Sequence, residues 1–204
     1  MATALPDAPA TARNREPILA VLRQQFAARM RVLEIGSGTG QHAVYFARAL
    51  PHLKWHTSDL PANHDAIRAW MAEAALPNVF PPVALDIGRA ETWPFTRHDA
   101  IFSANTLHIA SWPEVESLFA NLPRVLAAKA TVVFYGPFNI GGEFTSPSNA
   151  AFDASLRAEN PERGIRDLEA VQALAKQAGL VFIEDIPMPA NNRCLVFERG
   201  DARS

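Results

Sequence analysis

A short apolar run followed at once by closely spaced glycines constrains this chain more than any other feature. Residues 31–42 read Arg-Val-Leu-Glu-Ile-Gly-Ser-Gly-Thr-Gly-Gln-His. The apolar residues suit a buried parallel strand, and the glycines let the backbone turn tightly and approach a ligand closely. The next segment, 41–50, has apolar residues at helical spacing, so its first amides would favour an anionic group at the strand end. The pattern predicts a strand, a ligand-binding turn and a helix.

An acidic residue at the end of the following strand indicates what the turn binds. Residues 54–58 are predicted to form a second strand, and Asp59 comes directly after it. A carboxylate about twenty residues beyond such glycines accepts hydrogen bonds from a ribose diol. The predicted ligand is therefore a nucleoside that also carries a carboxylate or a phosphate.

The spacing of the glycines separates classes of nucleotide-binding domain. The dinucleotide fingerprint is G-x-G-x-x-G, whereas Gly36, Gly38 and Gly40 run G-x-G-x-G. Glu34 lies two places before the first glycine, and its carboxylate would repel a pyrophosphate but attract an ammonium. This pattern resembles the first motif of class I S-adenosylmethionine-dependent methyltransferases, in which the acidic residue helps to hold the methionine ammonium. The alternative is a strand-end glutamate in another nucleotide-binding α/β domain.

The composition is that of an ordinary globular protein. The chain has 204 residues, of which 49% are hydrophobic and 20% charged, and a formal net charge of −2, which suits one domain. Phosphate backbones are bound by clustered Lys and Arg, so a nucleic-acid partner is not expected. A single cysteine, Cys194, and the lack of a long apolar stretch favour a cytoplasmic protein with no membrane partner. The oligomeric state stays open.

The order of the predicted elements indicates the fold class. Strands alternate with helices as far as a fifth strand, 131–135, which predicts a parallel, doubly wound sheet. Ser111-Trp-Pro-Glu114 has the pattern of a capping box and marks the start of one helix. The last two strands, 180–186 and 194–198, are joined by a short link and are expected to pair in antiparallel fashion. We therefore expect an α/β fold with a seven-stranded, mostly parallel, Rossmann-like sheet and a C-terminal antiparallel hairpin, as in class I methyltransferases.

Domain boundaries follow from composition and turn residues. Residues 1–12 are rich in Ala, Pro and Thr and are predicted to form a disordered lead-in, with the first helix starting at Pro17. A single domain is predicted over 13–199. It contains a lid-like insertion at about 136–167, rich in Gly, Pro, Ser and Asn. Residues 200–204 are expected to form a loose tail.

A closer resemblance covers most of residues 13–198. Its distinctive blocks are Arg13-Asn-Arg-Glu-Pro-Ile-Leu19, Gly36-Ser-Gly-Thr-Gly-Gln-His42, Tyr135-Gly-Pro-Phe138 and Met188-Pro-Ala-Asn-Asn192. These blocks are similar to those of a small, uncharacterised family of methyltransferase-like proteins found in bacteria and animals. The resemblance implies the class I fold and the use of S-adenosylmethionine, with S-adenosylhomocysteine as the product. It implies no particular acceptor.

The candidate cofactor residues lie where ligands of such sheets bind, outside the carboxyl ends of the strands. Asp86 resembles the residue that binds the adenine amino group, with Ile87 packed on the ring, although a turn or helix-capping aspartate is the alternative. Arg13 and Asn14 would fold over the cofactor carboxylate, unless Asn14 caps the first helix. The full set is Arg13, Asn14, Glu34, Gly36, Ser37, Gly38, Gly40, Asp59, Leu60, Asp86, Ile87 and Asn105.

The candidate catalytic residues are His108 and Tyr135. Methyl transfer is a displacement at a sulfonium carbon, so the protein mainly aligns the acceptor and removes its proton when required. A neutral histidine suits that role near pH 7, and His108 lies one helical turn after Asn105. The structural alternatives are a wall histidine and a core tyrosine whose hydroxyl is satisfied. The chemistry requires no metal.

Candidate acceptor-binding residues come from the insertion and the last hairpin. Structural roles remain open for some of them, because Arg157 could pair with Asp153 on a helix and asparagine is common in turns. The function hypothesis is methyl transfer to O, N or S of a small molecule. The alternatives are a non-catalytic cofactor-binding or regulatory protein and a protein or nucleic-acid methyltransferase. The candidate acceptor-binding residues are Phe138, Asn139, Phe152, Arg157, Asn191 and Asn192.

Overall fold

The computed structural model describes residues 5–200 and is built on a seven-stranded sheet. Within these residues the strands are β1 (Arg31–Ile35), β2 (Lys54–Asp59), β3 (Val79–Ala84), β4 (His98–Ala104), β5 (Leu126–Gly136), β6 (Phe138–Asn139), β7 (Arg166–Asp167), β8 (Leu180–Met188) and β9 (Asn192–Arg199). The short strands β6 and β7 form a separate pair.

Helices cover both faces of the sheet. They are α1 (Pro9–Gln25), α2 (Gln41–Ala49), α3 (His64–Ala74), α4 (Trp112–Asn121), α5 (Pro147–Glu159) and α6 (Leu168–Gln177), with short 3₁₀ segments at Pro61–Asn63, Ala90–Thr92, Leu122–Arg124 and Pro189–Asn191. None of the helices within residues 5–200 is long and apolar enough to span a membrane.

The strand order confirms the predicted fold class. The order is β3-β2-β1-β4-β5-β9-β8. The first five of these strands are parallel, and β9 runs antiparallel to both β5 and β8. Because β2 and β4 flank β1 on opposite sides, the direction of winding reverses there. The carboxyl ends of β1 and β4 therefore form the switch point at which ligands of such sheets bind.

Alternation along the strands divides the core into two layers. Leu33 and Ile101 point to the face covered by α4 and α6, while Val32 and Phe102 point to the face covered by α1 and α2. Successive side chains of a strand point to opposite faces, so the short apolar run of β1 contributes to both layers. Burial on both faces holds the carboxyl end of β1 in a fixed position.

The first helix differs from the prediction. It begins at Pro9 and not at Pro17, so residues 9–12 are helical and do not form a disordered lead-in. Pro9 lies in the first turn, where its missing amide hydrogen has no helical partner, and Pro17 is accommodated inside the helix. Ahead of the helix, the Ala8 amide donates to Gln41 Oε1 at 2.7 Å. The predicted lead-in at 1–4 and the tail at 201–204 lie outside the described residues.

The insertion at 136–167 is an ordered unit. It contains β6, α5 and β7, with β6 paired in parallel with β7. Ser146 caps α5 by accepting a hydrogen bond from the Asn149 amide at 3.1 Å, and Asn149 Nδ2 donates to the Asn191 carbonyl at 3.1 Å. The insertion is therefore bound both to itself and to the β8–β9 turn.

Candidate active site

A cavity of about 430 Å³ opens at the carboxyl ends of β1 to β4. Eight candidate cofactor residues from the sequence line it: Gly36, Ser37, Gly38, Asp59, Leu60, Asp86, Ile87 and Asn105. They come from four loops, each of which follows a different strand. The structure brings these residues together, although they are spread over seventy positions in the sequence.

The glycine turn forms the floor of the cavity. Gly36 and Gly38 have φ angles of 73° and 58°, in the left-handed region that favours glycine. A Cβ on Gly36 would lie 2.7 Å from Thr106 Oγ1, whereas a Cβ on Gly38 would meet nothing within 4 Å. Gly40, at φ 88°, precedes α2 and does not line the cavity; a Cβ there would lie 3.0 Å from the Ile67 Cα.

This difference between two glycines gives a matched pair of variants. Alanine at either position costs about 1–2 kcal/mol for its left-handed backbone, but only Gly36→Ala adds a collision, worth about 1–3 kcal/mol. We expect Gly36→Ala to lower the free energy of unfolding in urea by the larger amount. Equal destabilisation by Gly36→Ala and Gly38→Ala would contradict the close approach of Thr106 to the turn.

Asp59 is held in place by three donors. Its carboxylate accepts hydrogen bonds from the Gly38 amide at 2.6 Å, from the Leu60 amide at 2.7 Å and from Asn63 Nδ2 at 2.8 Å. An ionised carboxylate offers about four acceptor positions, so capacity remains for a hydroxyl in the cavity. The bond to Gly38 joins the carboxylate directly to the glycine turn.

Asp86 both shapes a turn and lines the cavity. Its Oδ1 accepts a hydrogen bond from the Gly88 amide at 2.9 Å, which is the turn role considered as the alternative. Ile87 lines the same wall. Asn105 also lines the cavity. It has a φ of 58°, and its amide donates to the Tyr135 carbonyl at 2.8 Å.

Glu34 lies beneath the turn rather than in the cavity wall. Its side chain is 1% exposed, and its Oε2 accepts hydrogen bonds from Ser37 Oγ and Trp55 Nε1, both at 3.0 Å. Burial raises the pKa of Glu34 to about 7, the two hydrogen bonds oppose the rise, and the charge of Asp59 adds to it. Glu34 can therefore act on a ligand through its charge, one layer below Ser37.

Arg13 and Asn14 do not line the cavity. Asn14 lies inside α1 and is not its cap. Its Oδ1 is 2.8 Å from Nε2 of His42, a cavity residue whose pKa burial lowers to about 4. Asn14 is thus placed one residue behind the cavity wall.

Tyr135 lies in the apolar core, 5% exposed. Burial raises the pKa of its hydroxyl, and a hydrogen bond with the Asn14 side chain opposes the rise. This placement matches the core alternative. Tyr135 is not among the residues that line the cavity.

His108 occupies a buried corner next to Asn105 and is not among the residues that line the cavity. It is 5% exposed, and its ring makes an edge contact with that of Phe152, with centroids 5.4 Å apart. A Cβ on Gly136 would lie 3.5 Å from His108 Nδ1 and 3.8 Å from Asn105 Oδ1. Burial lowers the pKa of His108 to about 4, with further lowering by the charges of Arg166 and Arg163. The imidazole is neutral at pH 7.

The remaining acceptor candidates from the insertion have different surroundings. Phe138 belongs to the core, and Asn139 has a buried Oδ1 with no partner. Arg157 forms an ion pair with Asp153 at 2.7 Å, which is the structural alternative considered for it. Phe152 alone among these lies against His108.

The two hairpin asparagines bind neighbouring backbone and side-chain groups. Asn191 Nδ2 donates to Ser148 Oγ at 3.1 Å. Asn192 Nδ2 donates to the carbonyls of Pro189 and Ala190, each at 3.2 Å. Both therefore stabilise the β8–β9 turn, and neither lines the cavity.

Several cavity residues were not among the sequence candidates. Asn63 could have been found, because it lies four positions after Asp59 on a helical turn. Glu114 forms the predicted capping box with Ser111, which gave no hint of its place in the cavity. Arg163 has no local signal, since it reaches the cavity from the insertion. The cavity residues outside the sequence candidates include Thr11, Asn63, Glu114 and Arg163.

Comparison with known families places the chain. The family described as "Protein of unknown function (DUF938)" matches residues 6–199. The chain belongs to this family. The description of the DUF938 family assigns no activity, so the function has to be argued from the site.

Solved structures of methyltransferases share the DUF938 fold seen here. An O-methyltransferase family protein from Burkholderia thailandensis matches with a TM-score of 0.83 at 17% identity, over 95% of this chain and 58% of that one. Human N-acetylserotonin methyltransferase, in complex with S-adenosylmethionine, matches with 0.79 at 13% identity, over 94% and 53%. An O-methyltransferase family 2 protein from Planctomyces limnophilus, in complex with apigenin, matches with 0.79 at 20% identity, over 94% and 58%.

These likenesses establish the fold alone. The chain spans little more than half the length of each of these proteins. The sheet order and its antiparallel C-terminal strands are those of class I methyltransferases, as predicted. No group of three or more His, Cys, Asp or Glu side chains within residues 5–200 is arranged to hold a metal ion.

Proposed function

We propose that the protein transfers a methyl group from S-adenosylmethionine to O, N or S of a small-molecule acceptor and releases S-adenosylhomocysteine. The observation that carries this proposal is the convergence of the glycine turn, Asp59, Asp86 and Asn105 on one cavity. The methyltransferase fold of the similar structures supports it.

The residues of the cavity fit the nucleoside part of the cofactor. Asp59, with acceptor capacity beyond its three bonds, suits the ribose diol. Asp86 and Ile87 suit the adenine amino group and ring. The open space at Gly38 suits the methionine part, and the Glu34 carboxylate beneath Ser37 favours the positive charge of the ammonium.

Chain residues on the acceptor side align the nucleophile. When bound, S-adenosylmethionine supplies a methyl group that is already activated on sulfonium. Asn105 lines the cavity, whereas its neighbour His108 lies behind the lining residues. The neutral imidazole can therefore orient an acceptor by hydrogen bonding only where the acceptor reaches past Asn105. The insertion at 136–167 acts as the lid of this corner, because the Gly164 amide donates to the His108 carbonyl at 2.9 Å.

The net charge and the cysteine bear on the kind of acceptor and on the cellular compartment. The formal net charge of −2 fits a small-molecule acceptor better than a nucleic acid. Cys194 is a buried free thiol, which fits the reducing cytoplasm.

Replacing Asp59 tests the assignment of the ribose subsite. Hydrogen bonds to a charged group are worth about 1.5–3 kcal/mol, so Asp59→Ala is expected to weaken S-adenosylhomocysteine binding about 10- to 100-fold, measured by the ligand-induced thermal shift. Asp65→Ala is the matched control, because Asp65 is an exposed carboxylate on α3. Undiminished binding by a folded Asp59→Ala protein would contradict the proposal.

A further inference from the structure

Three carboxylates and one guanidinium group line the cavity. Asp59, Asp86 and Glu114 are acidic and follow or face the ends of β2 and β3. Arg163 is the only arginine or lysine that lines the cavity within residues 5–200. A cavity for a nucleoside with a cationic sulfonium explains the acidic residues. Arg163 forms an ion pair with the exposed Glu159 at 2.9 Å, but the sulfonium gives no reason for a cation in the cavity wall.

Arg163 is held at the cavity with part of its hydrogen-bonding capacity unused. Its Nη1 donates to Glu159 Oε2 at 2.9 Å, while its Nε is buried without a partner. Guanidinium groups form pairs of parallel hydrogen bonds with carboxylates and similar anions. The Nε has almost no accessible surface, so a ligand in the cavity would be bound by the Nη donors that Glu159 does not use.

The backbone joins Arg163 to the corner that contains His108. The next residue, Gly164, donates its amide to the His108 carbonyl at 2.9 Å. Arg166 donates from Nε to the Leu107 carbonyl at 3.0 Å, so two guanidinium groups flank this turn. Both guanidinium charges lower the pKa of His108, and no carboxylate raises it.

These surroundings make His108 a poor proton acceptor. Protonation would place a third cation beside Arg163 and Arg166 in a buried corner. An acceptor that must give up a proton, such as an ammonium or an ordinary alcohol, finds no base in the corner of His108. The carboxylates of Asp59, Asp86 and Glu114 already accept hydrogen bonds from backbone amides. A neutral imidazole still has one N–H to donate, and that donor suits an anionic oxygen or sulfur.

We infer that the acceptor is bound as an anion, with a carboxylate, thiolate or acidic phenolate as its nucleophile, and that Arg163 determines this preference. The inference rests on the proposed methyl transfer. A lone pair of the anion forms the new bond to the methyl carbon while the carbon–sulfur bond breaks. The electron pair of the broken carbon–sulfur bond stays on sulfur, which becomes a neutral thioether. One anion and one cation thus become two neutral products, and no proton has to move.

Matched acids and amides test this preference without knowledge of the natural acceptor. The protein is saturated with S-adenosylhomocysteine, and acetate, benzoate and phenylacetate are each compared with the corresponding amide and with benzylamine by thermal shift and calorimetry. We expect at least one carboxylate to bind and its amide to bind about 10-fold or more weakly. Arg163→Gln should abolish this difference. Arg68→Gln, at an exposed ion pair on α3, is the control and should keep it.

Each other outcome overturns the inference. Binding of no carboxylate, binding of benzylamine or the amides as tight as that of the acids, or an unchanged preference in Arg163→Gln would each do so. If Arg163→Gln weakens S-adenosylhomocysteine but not 5′-methylthioadenosine, which lacks the carboxylate, Arg163 serves the cofactor instead. Failure of the wild-type protein to bind S-adenosylhomocysteine would refute the proposed function itself and is seen before any acid is added.

Discussion

Arg166→Gln is expected to destabilise the protein by on the order of 3–5 kcal/mol. Arg166 is only 9% exposed, and its guanidinium donates to the carbonyls of Leu107 at 3.0 Å, Glu162 at 2.9 Å and Ala110. Glutamine is too short to reach all three, so buried carbonyls lose their donors. The guanidinium also stacks against Trp112, 5.8 Å from the ring centroid.

Urea unfolding of Arg166→Gln, Arg166→Lys and a surface control measures this effect. Lysine keeps the charge but lacks the planar fork, so an intermediate loss is expected. Arg68→Gln removes an exposed pair and should cost less than about 1 kcal/mol. A loss of under about 1 kcal/mol for Arg166→Gln would mean that the turn before α4 does not depend on the insertion.

Glu34→Gln is expected to stabilise the protein increasingly as the pH rises. The pKa of Glu34 is about 7 in the folded protein against 4.5 as the reference value, so the folded state binds this proton more tightly. The stabilisation from protonated Glu34 is therefore complete below pH 4.5 and is lost as the pH rises through 7. Glutamine keeps an acceptor for Ser37 and Trp55 and does not ionise.

The difference in stability between the two proteins isolates this group. Between about pH 5 and pH 8 the advantage of Glu34→Gln should grow by on the order of 2–3 kcal/mol, measured by urea unfolding at each pH. The same variant should bind S-adenosylmethionine more weakly, because the ammonium loses a nearby charge. A stability difference that does not change with pH would contradict the burial of an ionisable Glu34 beneath the turn.

The extent to which sequence predicted this molecule depends on the range of the interactions. The glycine turn and Asp59 could be found because a strand end and its following loop are local, and the carboxyl ends of parallel strands meet at one edge. The start of α1 could not be found, because the amide of Ala8, the residue before the helix, is held by Gln41, 33 residues away. Pro17 looked like a helix start but lies within the helix.

The residues proposed to bind the acceptor were harder still to predict from sequence, because their surroundings come from distant parts of the chain. Arg163 lines the cavity because the insertion at 136–167 folds back over it. The residues next to Arg163 in the sequence do not determine how the insertion folds. His108 was placed near the cofactor from its distance to Asn105, but its neutral state depends on burial and on two distant arginines. On sequence grounds the hairpin asparagines could have been binding residues or turn residues. Their hydrogen bonds to Ser148 and to the Pro189 carbonyl show that they serve the turn.

Calorimetric titration of the wild-type protein with S-adenosylhomocysteine and, separately, with NAD tests the central claim most directly. The cavity of about 430 Å³ with Asp59, Asp86 and the glycine turn should bind S-adenosylhomocysteine at one site per chain, with NAD giving no saturable heat. No heat of binding from S-adenosylhomocysteine on folded protein, or tighter binding of NAD, would contradict the claim that this cavity holds a methyl-donating nucleoside.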